Sequence, residues 1–446
     1  MKIIIAGAGA IGFHLANLLS KENQSITLID IDEEVLFQAS RHLDVMTIQG
    51  DISSIDILEQ ANIKKTQLFI AVTTSESTNL LSAMLAKQLG AKNTIARISA
   101  ATHLKKDNKK RLKQMGVDVM ISPQRLAALE IERLLRRASF TDLFEFENGR
   151  ISIVGFTIDS TCPILNYTIK EVNELTRNFT FRGIALLRGY KTIIPEESTV
   201  LKKGDHLYIS TQNQFLEEAM KFIGKQLRPI KKVMIIGGTP LALKTAQLIE
   251  HKYSVTIVME DEEQAKRFVE QLNKCLVINA DPGNIDALKE EGFAEMDAFI
   301  ALTPNSETNI ISSLMAEDIG VYKTIALVEN VDYTHISQNI GIDTIINKKL
   351  ITANNIFRFV RKGKVQAIAS LHGVDAEIIE YEIHKRNRLI NNTIEDLHFP
   401  KKSIIAGIVR GDQSIIPSRD FKLEIGDKVI ILALPEAIHQ VEEIFK

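Results

Sequence analysis

Gly7-Ala8-Gly9-Ala10-Ile11-Gly12 is the first stretch of this chain whose residue types and spacing point to chemistry. Three glycines so placed suit the binding of a nucleotide diphosphate. Gly7 makes the tight turn, Gly9 lets the backbone approach the diphosphate, and Gly12 lets a helix pack closely on a strand. Ala10 and Ile11 open that helix, where free N–H groups and the helix dipole favour negative charge. Asp30, 18 residues beyond Gly12, completes the pattern, because a carboxylate there can accept hydrogen bonds from both hydroxyls of an adenosine ribose. An acid at this position disfavours a 2′-phosphate, so NAD(H) is preferred over NADP. ATP and ADP present the same diol and phosphates and satisfy the same residues. A glycine-rich turn that only packs is the alternative reading.

Strands and helices must hold these residues in place. KIIIA (2–6) reads as a buried parallel strand, FHLANLLSK as a helix with apolar residues at Phe13, Ala16 and Leu19, and ITLID (26–30) as a second strand. The strands VMTIQGD, LFIAVTT and TIARIS then bring Asp51, Thr73 and Arg97 to the carboxyl edge of the sheet, where ligands of open α/β sheets bind. Asp51 suits the adenine edge, Thr73 the ribose or phosphates, and Arg97 the diphosphate charge. A turn or capping role competes for each. Arg97 is the strongest of the three, since a strand-borne arginine needs an anionic partner or solvent.

The pattern recurs. An offset of 230 carries Gly7 to Gly237, Asp30 to Glu260, Asp51 to Asp281, Thr73 to Thr303 and Asn79 to Asn309. RGYKTIIP at 188–195 returns as RGDQSIIP at 410–417, and KGDHLYI at 203–209 as IGDKVII at 425–431, both at an offset of 222. The chain is therefore duplicated, with roughly 225 residues per copy. The expected architecture is α/β: two tandem Rossmann-like parallel-sheet domains (1–124 and 230–349), each followed by a small α+β lobe (141–225 and 366–446) with β-rich runs around one helical segment. Helices at 125–137 and 350–362 join the parts.

In the second copy the turn reads Gly237-Gly238-Thr239-Pro240-Leu241-Ala242. Ala242 is tolerated at the last glycine position, but the Thr239 side chain enters space that the diphosphate would approach, and Pro240 removes one N–H. Leu327 stands opposite Arg97. Gly237, Gly238, Glu260, Asp281 and Thr303 thus mark a second, weaker site, either empty or adapted to a different ligand.

IIIAGAGAIGFHLA, LIDID, QGD, AVTTSESTN and IARI, followed by a small lobe with RGYKTIIP and KGDHLYIS, resemble the TrkA family of Trk-type potassium-uptake regulators, proteins with two regulator-of-potassium-conductance (RCK) units in tandem. The resemblance spans essentially the whole chain. It implies a non-enzymatic, cytoplasmic gating ring, a homotetramer, peripheral to the inner face of the cell membrane and docked under a TrkH/TrkG-like potassium-translocating subunit. It also implies NAD(H) and adenine nucleotides as ligands, held in the first site by Gly7, Gly9, Gly12, Asp30, Asp51, Thr73 and Arg97.

Composition agrees with a globular protein and narrows the rivals. Of 446 residues 45% are apolar and 25% charged, and the net charge of −2 gives no global pull toward nucleic acid or anionic lipid. Cys162 and Cys275 stand far apart without a CxxC partner, which excludes a cysteine zinc site and fits a reducing cytosol. No run reaches the roughly 18 apolar residues of a membrane span. The basic run 103–115 lacks interleaved aromatics and reads as a solvated helix face. Asp30 and Asp32 have no third ligand nearby, so a ribose contact and a helix cap explain them better than a metal. An NAD-dependent oxidoreductase would need a substrate domain with a general acid or base. The small lobes carry His206, His372, His384 and His398 in no catalytic or metal-binding spacing. A nucleotide sensor acting on another partner is the remaining alternative.

Overall fold

The computed structural model describes all residues except 21–23, 137–141, 148, 177–180, 190, 225–228, 331–343, 362–366, 371–375, 385–388, 391 and 446. His372 and parts of the expected lobe boundaries lie outside the described residues. Ile3, Ile4 and Ile5 are all fully buried, as an apolar run covered by helices on both faces of a parallel sheet requires. They belong to β1 (Lys2–Ala6), which joins β2 (Ser25–Asp30), β3 (Met46–Gln49), β4 (Leu68–Ala71), β5 (Asn93–Arg97) and β6 (Val119–Ile121) in a parallel sheet of order β3-β2-β1-β4-β5-β6. The order reverses between β1 and β4, so this doubly wound sheet has its ligand crevice at their carboxyl ends. Asp32 caps the helix Glu33–His42, accepting the Glu34 N–H at 2.9 Å. The helix Lys106–Gln114, from the basic run, buries none of its residues.

The first small lobe is an antiparallel sheet of β7 (Asp142–Phe146), β8 (Ile151–Thr157), β9 (Phe181–Arg188), β10 (Lys191–Ile193) and β11 (His206–Gln212), in the order β10-β9-β11-β8-β7. It carries two helices rather than the one expected, Ile169–Leu175 and Leu216–Phe222. The first of these opens with a capping box between Thr168 and Glu171, too short a signal to stand out beside the apolar strands.

The second parallel sheet consists of β12 (Lys232–Ile236), β13 (Ser254–Met259), β14 (Cys275–Asn279), β15 (Ala298–Ala301), β16 (Lys323–Leu327) and β17 (Thr344–Ile346), in the order β14-β13-β12-β15-β16-β17. The last sheet takes β18 (Ala367–Ser370), β19 (Glu377–Glu382), β20 (Ser403–Arg410), β21 (Gln413–Ile415) and β22 (Lys428–Ala433), in the order β18-β19-β22-β20-β21, with the helix Pro435–Phe445 after it. The duplicated motifs prove to be the internal ties of the small lobes. Arg188 clasps buried Asp205 at 2.7 and 2.6 Å, and Arg410 clasps buried Asp427 at 2.7 and 2.9 Å. A bidentate pair of this kind fixes geometry as well as supplying energy. One bulge also recurs, at Ile184 on β9 and at Ala406 on β20.

The two small-lobe sheets share a core. Ile151, Ile153, Ile184 and Tyr208 of one pack with Ile378, Ala406, Ile430 and Leu432 of the other. Ser210 Oγ donates to the Ala406 carbonyl at 2.7 Å, and Lys428 Nζ meets Glu147 at 2.8 Å.

The chain divides into two compact bodies that do not follow the repeat. One comprises Met1–Glu130, Thr239–Leu248 and Ile346–Phe359; the other comprises Ile131–Gly238, Ile249–Ile345 and Val360–Lys446. Among the described residues, no helix is long and apolar enough to cross a membrane.

Candidate nucleotide site

The glycines of the first turn have three different constraints. Gly7 has φ +103°, and a Cβ there would lie 2.9 Å from the Thr73 nitrogen. A Cβ on Gly12 would lie 1.8 Å from the Gly7 carbonyl oxygen, so the helix Ala10–Ser20 approaches β1 as only glycine permits. Gly9 is exposed, and a Cβ on it would meet nothing within 4 Å. Packing within the chain does not demand glycine there; a ligand lying against the backbone would. Ala10 is exposed at the helix start, whereas the Ile11 side chain is 6% exposed and belongs to the core. Ile11 can serve a ligand only through its backbone.

Asp30, half-buried at the end of β2, is held over this turn. Its Oδ2 accepts the Ala8 N–H at 2.6 Å and its Oδ1 the Asp32 N–H at 3.1 Å. Each oxygen keeps a further acceptor site, enough for a ribose diol. Asp51 is engaged differently. The Ser53 N–H and hydroxyl donate to its Oδ1 at 2.8 and 2.7 Å and hold its carboxyl below the usual range. That is the turn role weighed from sequence. Thr73 also turns inward, its hydroxyl donating to Asn79 Oδ1 at 2.7 Å. Arg97 ends β5, half-buried at the same sheet edge.

Two residues without a role in the sequence reading organise this edge. Asn79, 1% exposed, also receives the Thr73 N–H at 2.9 Å and donates to the carbonyls of Thr73 and Arg97, both at 3.1 Å. It thereby ties the ends of the neighbouring strands β4 and β5 on one side of the crevice. Glu76 Oε2 accepts the N–H groups of Ser99 and Ala100, both at 2.9 Å, and Oε1 meets His103 Nε2 at 2.9 Å. The repeat placed Asn79 opposite Asn309, the only sequence signal for either residue. Asn309 makes the same four bonds to Thr303 and to the Leu327 carbonyl.

In the second copy, Gly237, Gly238, Glu260, Asp281 and Thr303 line one cleft of about 320 Å³. Strand register corrects one equivalence, however. The Gly7 N–H bonds to the Ile29 carbonyl and the Gly237 N–H to the Val258 carbonyl, each at 2.8 Å. The residue that corresponds to Asp30 is therefore Met259, and Glu260 lies one position beyond it. The first helix of the second copy is one residue shorter, and an extra residue before the end of β14 restores the offset at Asp281. Thr239 acts as a cap, its Oγ1 accepting the Ala242 N–H at 3.2 Å.

The TrkA-N domain family matches residues 3–123 and 233–348, and the TrkA-C domain family matches 153–224 and 378–446. The Trk system potassium uptake protein TrkA of Haemophilus influenzae is 31% identical over 453 residues, covering 100% of this chain and 99% of that protein. TrkA homolog 1 of Methanosarcina mazei is 30% identical over 455 residues, covering 100% of both. Among solved structures, the RCK domain of GsuK superposes with a TM-score of 0.61 at 15% identity, covering 100% of this chain and 94% of that one. A GsuK channel bound to NAD gives the same TM-score and identity, covering 100% and 78%. Two glycine-turn sheets, two small antiparallel lobes and full-length likeness agree: the chain belongs to the TrkA family of Trk system potassium uptake proteins.

Proposed function

We propose that this protein is the nucleotide-binding regulatory subunit of a Trk-type potassium-uptake system and that it performs no catalysis. The first sheet edge binds NAD(H) or an adenine nucleotide through Gly7, Gly9, Ala10, Ile11, Gly12, Asp30 and Arg97, with Asp51 and Thr73 shaping the walls. The observation that carries this reading is Asp30, held by the Ala8 N–H beside an open Gly9 backbone at the sheet's topological switch point. The NAD-bound GsuK structure supports it by likeness of fold.

In the cell the protein is cytoplasmic, a homotetrameric ring against the inner face of the membrane, where it gates a TrkH/TrkG-like potassium-translocating subunit. Only a ligand that binds two ring shapes differently can shift their balance. Coupling of about 1–3 kcal/mol per site is typical, and several symmetric sites together approach the roughly 5.5 kcal/mol that takes a gate from 1:99 to 99:1. The test is calorimetric titration with NADH, NAD, ATP and ADP, beside Asp30→Ala. Saturable binding lost in the variant, without turnover of nucleotide, is the expected result. Well-folded wild-type protein that binds none of the four sinks the proposal.

A further inference from the structure

The second cleft differs from the first at the position that matters most for a ribose. Register places Met259 where the first copy has Asp30. The Met259 sulfur lies 3.3 Å from where a Cβ on Gly238 would stand, and Gln264 Oε1 lies 2.0 Å from it. The first copy has Ala8 here, with its N–H bonded to the Asp30 carboxylate. A thioether is a weak acceptor and cannot take two hydroxyl hydrogen bonds in place of a carboxylate. Among the described residues lining the cleft there is no lysine or arginine, whereas Glu260, Asp261 and Asp281 are present. A dinucleotide brought here would find no carboxylate at the strand-end position that Asp30 holds in the first copy and no cation for its diphosphate, and its charge would be repelled by three carboxylates.

We infer that Met259 makes the second cleft reject adenine dinucleotides, so that each chain binds one dinucleotide, at the mouth that carries Asp30. The inference rests on the function proposed above. Glu260 does not substitute for Asp30, because it follows β13 by one residue and is exposed. The two copies are then unequal in ligand as well as in sequence.

Equilibrium dialysis of the full chain with NADH tests this by stoichiometry. The expected values are one NADH per wild-type chain, none in Asp30→Ala, and one in Met259→Ala with affinity within about twofold of wild type. An unchanged far-UV spectrum and melting temperature certify each variant's fold, and Asp30→Asn replaces Asp30→Ala if the latter does not fold. Two NADH per wild-type chain, or one remaining in folded Asp30→Ala, overturns the inference while leaving nucleotide binding intact. Loss of NADH from Met259→Ala also overturns it, by placing the ligand in the second cleft. No NADH on wild type removes the inference together with the function on which it rests.

Discussion

Asn79 spends its whole side-chain amide inside the protein, taking two bonds from Thr73 and giving one each to the carbonyls of Thr73 and Arg97. Truncation to alanine leaves a nearly buried set of backbone groups unpaired, which costs about 1–3 kcal/mol. Asn79→Ala is therefore expected to lower the unfolding free energy by that amount, read as a lower denaturant midpoint, and to weaken nucleotide binding, because the ends of β4 and β5 lose their tie. An unchanged midpoint would show that neighbouring groups or water replace the amide. Asp30 and the glycines were legible in the sequence because each answers a local demand of turn or ligand. Asn79 was not, since its partner at Arg97 is 18 residues away and becomes a neighbour only when the sheet forms. The Thr73 hydroxyl donates to Asn79 Oδ1, a bond the sequence reading did not include.

The strands were readable because parallel strands covered on both faces are continuous apolar runs, as in Ile3–Ile5 and Ile235–Ile236. Register was harder. A lost residue before β13 and a gained one before the end of β14 cancel, so motifs on either side keep the same spacing while Met259 slips opposite Asp30. An acid at Glu260 made the false equivalence chemically attractive. Among the helices, Pro123–Arg136 and Lys348–Arg361 each run without a break across the boundary between the two bodies. They join the parallel-sheet domains to the small lobes, at the positions the sequence reading gave them. Leu129 is 39% exposed in the first of them, so replacing it disturbs the core little. Leu129→Pro removes one helical hydrogen bond and costs about 3 kcal/mol locally. The expected outcome is retained NADH binding with loss of nucleotide-dependent potassium flux through the reconstituted membrane partner, whereas Leu129→Ala keeps both. Intact coupling in the proline variant would remove this helix from the mechanism.

At the scale of the whole molecule, the second body contains a carboxyl pair, buried Glu380 and half-buried Glu147, where its two small-lobe sheets meet. Burial, followed by the hydrogen bond and charge of Glu147, pushes Glu380 up to about 7. Although burial opposes it, Glu147 is held below the usual range by its hydrogen bonds to Lys428 and Glu380. Lys428 and Glu382 are the other charges that act on Glu380. A carboxyl with a raised folded value binds its proton more tightly folded than unfolded. Its contribution to stability is full below the unfolded value of about 4.3 and is lost as pH rises toward 7. Glu380→Gln should therefore melt close to wild type at pH 5 and above it at pH 8. Equal shifts of both proteins between these pH values would assign the dependence to other groups. The shared apolar face behind this pair has a further consequence. Each small lobe covers its neighbour's sheet from within one polypeptide, so the contact forms at the effective concentration set by the connecting chain and does not loosen on dilution. Two separately encoded halves would have to find each other by mass action and could exchange partners. Within one chain the pairing is permanent, and the two copies can differ in their sites, one carrying an acid and the other a methionine at the same strand end.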